Sequence, residues 1–283
     1  MKYDLMYNFC GGLGDIILQL FSISQYDQIL ENAKKGKRII INLCSANPFA
    51  KELFDNLPNK QNIKINIFDY FVFSKLNKEE RSSFFIEKNK EQIDLNIKYD
   101  PERREKNGHV DFLLSDEEYE LIDSLVTNIQ KENKKLIIFS PCTGKKTTTP
   151  TKEYCNQVID YISDDFVLVK IGRDYLLTEI QRYDREYIFN HKNVKDLTNK
   201  LSVPATLELV KRGDGIIASD SSIMCYGSIL DKPMFIMISD KNKEHYKNYN
   251  QHIYYKCFDR DNVVYEDWQN TDQESVNNFL KLL

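Results

Sequence analysis

The chain has 283 residues, 41% hydrophobic and 29% charged, with a formal net charge of -4. That length carries one large domain or two compact ones, and the acidic balance lacks the basic footprint of a dedicated nucleic-acid binder. No apolar run approaches the ~20 residues that cross a bilayer. Six cysteines show no CxxC pair and four histidines no metal-ligand spacing, so the thiols read as buried and reduced. Met1 leads directly into a strand with no charged-then-apolar leader, which gives the expectation of a cytoplasmic protein.

In chain order, Leu5 to Cys10 predicts a strand and Asp15 to Ala33 a helix, with Ile16, Leu20, Ile23 and Leu30 near helical spacing. Arg38 to Cys44 contains the β-branched run Ile39-Ile40-Ile41 of a strand buried on both faces. A helix over 49–57 and a strand over 63–68 complete a βαβαβ unit. From Tyr70 to Asn107 the pattern weakens, and charge clusters such as Lys78–Arg81 and Glu102–Lys106 read as solvated faces or as an acceptor-recognition segment. Ser115-Asp116-Glu117-Glu118 opens a capped helix running toward Glu132. Beyond it, strands are predicted at 136–139, 166–171, 215–219 and 234–238, and helices at 152–162, 176–183, 204–211 and 221–230. An amphipathic segment, Gln273 to Leu283, ends the chain. Alternating strands and helices imply parallel sheets covered on both faces. The expectation is an α/β protein of two Rossmann-like doubly wound domains facing a central cleft, 1–130 and 131–283, with the final helix a candidate to pack back on the first domain.

Three turns each follow a predicted strand and open a predicted helix, where backbone N–H groups and the helix N-terminal partial charge hold anions. The first is Gly11-Gly12-Leu13-Gly14-Asp15. It is neither the dinucleotide fingerprint nor a Walker loop. The glycines allow a sharp turn or close ligand approach, and Asp15 is either a functional carboxylate at the carboxyl end of the first strand or a helix cap. The second turn carries Thr143, Gly144, Lys145 and Lys146: a hydroxyl, an unhindered N–H and an ammonium suited to a pyrophosphate, with either lysine able to serve. The third, Ser219-Asp220-Ser221-Ser222, is both a good cap and a good phosphate cradle. Asp259-Arg260-Asp261 has the acid spacing of metal-dependent sugar transferases but lacks a clear strand before it.

Together these residues resemble the bacterial heptosyltransferase family. Leu13-Gly14-Asp15 matches its opening turn, and Ser140-Pro141-Cys142-Thr143-Gly144 with Lys145-Lys146 and Thr149-Pro150 is similar to its second-domain opening. Leu197–Lys200 with the following helix resembles a later turn. Asp220–Cys225 followed by Lys232-Pro233 resembles its most specific motif. Cys225 stands where the family has histidine, Ser222 where it has glycine and Thr149 where it has tryptophan, which leaves the donor sugar and acceptor open. The resemblance implies a GT-B fold and an inverting glycosyl transfer needing no metal and no cofactor. A nucleotide-diphospho-sugar, ADP-heptose-like, would be the donor on the second domain. A glycan or lipid-linked acceptor such as lipopolysaccharide or capsule would lie on the first, with peripheral contact at the inner membrane face. In that scheme Asp15 is the general base. Thr143, Lys145 or Lys146, Asp220, Ser221 and Ser222 hold the donor phosphates, and Asp174 meets the ribose. The alternatives are transfer to a protein or a modified DNA base, a sugar-nucleotide epimerase or hydrolase, and a non-catalytic nucleotide-sugar-binding module.

Overall fold

The computed structural model describes residues 3–21, 25–89, 113–144, 149–176, 181–182, 184–238, 260–268 and 272–283. It divides into two compact units, Met1–Leu113 and Leu114–Leu283. The division falls ahead of the capped helix near residue 116, which therefore opens the second unit. No helix among the described residues is long and apolar enough to cross a membrane.

The first unit is built on three parallel strands in chain order, β1 (Leu5–Gly11), β2 (Ile39–Ser45) and β3 (Ile63–Ile67). The single helix expected over 15–33 is described as two, α1 (Leu13–Phe21) and α2 (Gln25–Lys34), on either side of residues 22–24. The helix expected over 49–57 is a 3-10 turn, Ala50–Phe54. Leu57 precedes Pro58, which disfavours helical backbone there, and Asn59 adopts φ 53°. Phe54 of that turn stacks on Phe9 of β1, ring centroids 5.5 Å apart. The weakly patterned region yields α3 (Tyr70–Ser74) and α4 (Lys78–Asn89). Asp69 caps α3 by accepting from the N–H groups of Phe71 and Val72. Phe73, Phe84 and Phe85 of these helices pack on one another and toward Cys44.

A chain of amides crosses this sheet. Asn42 Nδ2 donates to Asn8 Oδ1 at 2.8 Å, and Asn66 Nδ2 donates to Asn42 Oδ1 at 3.1 Å. Asn89 of α4 donates to Asn42 Oδ1 and accepts from Asn66. Asn42 and Asn89 are fully enclosed, so each amide is matched by another rather than by water, as burial requires.

The second unit opens with α5 (Asp116–Lys131), begun by a capping box between Ser115 and Glu118. Its sheet has six parallel strands: β4 (Lys135–Ser140), β5 (Phe166–Lys170), β8 (Val194–Asp196), β9 (Gly215–Ser219), β10 (Met234–Met237) and β11 (Val263–Glu266). Their spatial order is β11-β10-β9-β4-β5-β8. The chain runs outward from β4 to β8, then returns to β9 on the other side of β4. The direction therefore reverses between β4 and β9.

Apolar side chains of both sheet faces are enclosed, which is why Leu136–Phe139 and Ile216–Ala218 read as continuous hydrophobic runs. One face packs on α6 (Lys152–Asp160) and α9 (Gln273–Leu280) through Val158, Ile159, Val276 and Phe279. The final helix thus lies on the second unit's own sheet. The other face meets α5 and α8 (Ser222–Ile229), with α7 (Val203–Arg212) packed against both helices. Gly227 sits so close to the sheet that a Cβ there would meet Ile216 Cδ1 at 2.4 Å and Met234 Sδ at 2.8 Å. Of the helix expected over 176–183, residues 177–180 and 183 lie outside the described residues, while Leu176 and Gln181–Arg182 belong to a two-stranded antiparallel pair, β6 (Tyr175–Leu176) and β7 (Gln181–Arg182).

Candidate functional site

In open parallel sheets a ligand crevice forms outside the carboxyl ends of the strands where chain direction reverses. In the second unit that place is between β4 and β9, whose last residues are Ser140 and Ser219. Ser140 is in register with Ala218, and Ser219 Oγ donates to the Ser140 carbonyl at 3.4 Å. The turns 140–144 and 219–222, singled out from sequence, therefore flank one point.

The residues there are enclosed and polar. Ser140 is fully buried and its Oγ has no hydrogen-bond partner, and neither has the enclosed Oγ of Ser221. Ser221 is the N-cap of α8 in extended conformation, yet its side chain does not cap the helix. Hydroxyls left without partners inside a protein are costly, and that of Ser221 stands at a helix start, a place suited to an anion. Thr143 is engaged within its own loop. Its N–H donates to Thr149 Oγ1 at 3.0 Å, and the two hydroxyls lie 3.2 Å apart. Thr149, not singled out from sequence as a site residue, thus fastens the far end of the loop. Gly144 is partly exposed. Lys145 and Lys146 lie outside the described residues, as does Asp259 of the acid triplet. Arg260 of that triplet donates to the Ser228 carbonyl and pairs with Asp231. Among the described residues no three His, Cys, Asp or Glu side chains group as a metal site.

Asp174 follows β5. Its carboxylate accepts from the Arg185 N–H at 3.1 Å and from Asn199 Nδ2 at 3.0 Å. The Asn199 side-chain carbonyl in turn accepts from the Asp174 N–H at 2.8 Å. Beneath this clasp lies a residue that sequence reading missed. Lys170, the last of β5, is fully buried, with Nζ 2.9 Å from the Asp184 carbonyl, 2.9 Å from Asp196 Oδ2 and 2.8 Å from Thr198 Oγ1.

In the first unit, Asp15 occupies the third position of α1, at the carboxyl end of β1. Its Oδ2 accepts from the Gly12 N–H at 2.7 Å, the reach-back that an acid at this position makes in a capping box. The cap role is therefore realised, while the carboxylate stands at the strand end. Gln19, one helical turn on, donates from Nε2 to the Cys10 carbonyl at 2.9 Å and accepts from the Cys10 N–H at 3.3 Å, fixing α1 against β1. Tyr70 of α3 is a second residue missed from sequence. Burial first, and the Asp15 carboxylate next, push its phenol above the usual tyrosine range. The weak periodicity of residues 70–89 concealed that α3 reaches the Asp15 turn.

These features define a protein with two parallel α/β units, the fold of the GT-B glycosyltransferases. A glycosyl transferase family 9 structure from Veillonella parvula DSM 2008 is similar over 99% of each chain, with 14% identity and a TM-score of 0.55. The E. coli ADP-heptose lps heptosyltransferase II is similar over 100% of this chain and 98% of its own, with 11% identity and a TM-score of 0.50. The E. coli heptosyltransferase WaaC with ADP matches over 99% of each chain, with 12% identity and a TM-score of 0.52. No family model matches the chain, and no curated protein does. At identities this low the likeness shows the fold alone.

Proposed function

We propose that the chain is an inverting glycosyltransferase that moves a sugar from a nucleotide-diphospho-sugar to a hydroxyl of a glycan or lipid-linked acceptor. The observation that carries the reading is the pair of enclosed, unpartnered hydroxyls of Ser140 and Ser221 at the reversal point of the second sheet. A diphosphate there would accept from both and from the N–H groups at the start of α8, Ser222 included. Lys145 or Lys146 would add charge to the departing group, which is how such a site stabilises a leaving diphosphate without a divalent ion. Gly144 leaves room for the phosphates, Thr143 and Thr149 hold the loop, and Asp220 orients the turn. Asp174 would meet the ribose only by sharing a carboxylate already held by Asn199 and Arg185.

Asp15 is the general base of this reading, taking the proton of the acceptor hydroxyl as it attacks the anomeric carbon. The glycines at 11, 12 and 14 keep its surroundings open, and Tyr70 borders it. The exposed Ile67 at the end of β3 and Val72 of α3, in the same unit, suit a partly apolar acceptor held at a membrane face. The likeness to a structure with ADP and to one named for ADP-heptose supports an adenine nucleotide as the first donor to try.

A thermal-shift screen against ADP-, UDP-, GDP- and CMP-linked sugars, with and without magnesium, tests the donor half. A ligand at ~100 times its Kd adds about 2.7 kcal/mol to the folded state. Asp15→Asn tests the catalytic half: the amide oxygen can still accept from Gly12, while turnover should fall by about 10²–10⁴. Full turnover in that variant would remove the base. A second reading, a nucleotide-sugar-binding module, is favoured by the bond that already engages Asp15. It predicts donor binding without sugar release on any acceptor.

A further inference from the structure

Cys10 and Cys44 are register partners across the parallel strands β1 and β2, each one residue short of its strand's end. Both pack with the aromatic cluster around Phe73 and Phe85, so both project from the same sheet face. Each thiol is the other's leading hydrogen-bonding neighbour, and Cys44 Sγ lies 3.7 Å from the Asp69 carbonyl oxygen. Among the described residues, Cys10 is the one cysteine only partly buried; Cys44, Cys142, Cys155 and Cys225 are enclosed.

We propose that Cys10 and Cys44 form a dithiol modification site at the carboxyl end of β1, which reacts with low-molecular-weight disulfides and closes to an intramolecular bridge. The reagent RSSR enters at Cys10. A thiolate of the pair attacks one sulfur, an S–S bond to the protein forms, and RS⁻ leaves and takes up a proton. The second cysteine, its own proton given up, attacks the protein-bound sulfur and expels the second RS⁻. The two cysteines lose two electrons and two protons, and RSSR becomes two RSH. The bond to Cys44, followed by burial, pushes the Cys10 thiol above its usual range. The same bond pushes the Cys44 thiol down, so within the pair the proton stays on Cys10 and Cys44 carries the greater thiolate character.

Closure has a structural consequence. Neighbouring strands stand about 4.8 Å apart, and partners in a parallel pair project side by side at about that spacing, whereas a disulfide draws its Cβ atoms to about 3.8 Å. The bridge must pull the strand ends together by roughly 1 Å. Cys10 is bonded on both backbone groups to Gln19, and Gly12, two residues on, donates to Asp15. The strain therefore falls on the Gly11–Asp15 turn. This holds whether or not Asp15 is a base.

The test is to treat the intact protein with hydroxyethyl disulfide, denature, alkylate with N-ethylmaleimide and map peptides by mass. Expected are a Cys10–Cys44 linked peptide, two fewer alkylated cysteines, full reversal by dithiothreitol, and altered hydrogen exchange at residues 11–15. In Cys44→Ala the reagent should remain on Cys10 as a stable adduct, and Cys155→Ala should bridge as the parent does. A bridge between another pair, a persistent adduct on Cys10 of the parent chain, or no reaction overturns the proposal. The mapping on the parent chain decides even where Cys44→Ala does not fold.

Discussion

Lys170→Met isolates the buried cation under β5. The methionine keeps most of the stem's volume and leaves three acceptors without their donor: the Asp184 carbonyl, Asp196 Oδ2 and Thr198 Oγ1. The Asp196 side chain is 43% exposed, so water replaces much of that bond, and a pair so exposed on one side is worth little. The loss rests on the enclosed Asp184 carbonyl and, to a lesser degree, the half-buried Thr198 hydroxyl, about 1–3 kcal/mol for a buried acceptor left unpaired, and is offset in part because an ammonium no longer needs burying. The net expectation is about 2–3 kcal/mol, which for a unit of this size lowers the midpoint by roughly 5–10 °C. Trp268 is the chain's one tryptophan and packs against the core of the same unit, so its fluorescence follows the transition. The pH dependence gives a second handle. Burial alone would raise the Asp196 carboxyl, but hydrogen bonds from Thr198 and Lys170 outweigh it and hold it below the ordinary value. Its stabilisation is thus present above the unfolded value of about 3.9 and lost as pH falls through the folded one. The variant, lacking one of those donors, should lose less on acidification, so the two proteins converge at low pH. Equal or greater stability of Lys170→Met at pH 7 would refute the reasoning, for it would mean that the cost of burying the ammonium exceeds everything its bonds return.

Ser222→Asp should stabilise α8 by about 0.3–1 kcal/mol as an acid in its first turn and weaken nucleotide-sugar binding at least tenfold by titration; unchanged affinity would place the phosphates elsewhere. Burial pushes the Glu266 carboxyl up, so its contribution is present below about pH 4.3 and lost as pH rises through the folded value. Glu266→Gln still offers an oxygen to the Tyr154 hydroxyl, now 3.1 Å away, and urea midpoints from pH 4 to 7 should fall less steeply than in the parent; parallel profiles would contradict this. Gly227→Val forces atoms onto Ile216 and Met234 and should cost about 1–3 kcal/mol by overpacking, read as a lowered melting point. Ser115→Ala removes half of a capping box and should cost about 1 kcal/mol in the same measurement.

The sheets were legible because their signal is local. Ile39–Ile41 and Leu136–Phe139 are apolar runs that only a strand covered on both faces can use, and the Ser115–Glu118 box announces its helix. Ser221 and Ser222 were legible as a turn after a strand, but not as neighbours of Ser140. That adjacency depends on the order in which six strands assemble. Lys170 reads as a charge ending a strand, and its burial is set by Asp184, Asp196 and Thr198, 14 to 28 residues further on. Tyr70 lay hidden for a similar reason: its approach to Asp15 is made by a five-residue helix too short to show a period. The paired residues 175–176 and 181–182 were misread because a short stretch of mixed polarity fits a helix and a strand almost equally well, and pairing decides between them.

The crossing amides of the first sheet solve a problem its apolar residues leave open. Leu5–Gly11 and Ile39–Ser45 carry hydrophobic side chains at almost every step, so sliding one strand by two residues would still set apolar against apolar and keep each face as it was. The same slide would set Asn42 opposite Met6 or Cys10 and strand an enclosed amide, at about 1–3 kcal/mol for each group left unmatched. One asparagine in each strand thus acts as an index mark, selecting a single alignment from several that oiliness alone could not tell apart. The position of Asp15, at the end of β1, is inherited from that choice.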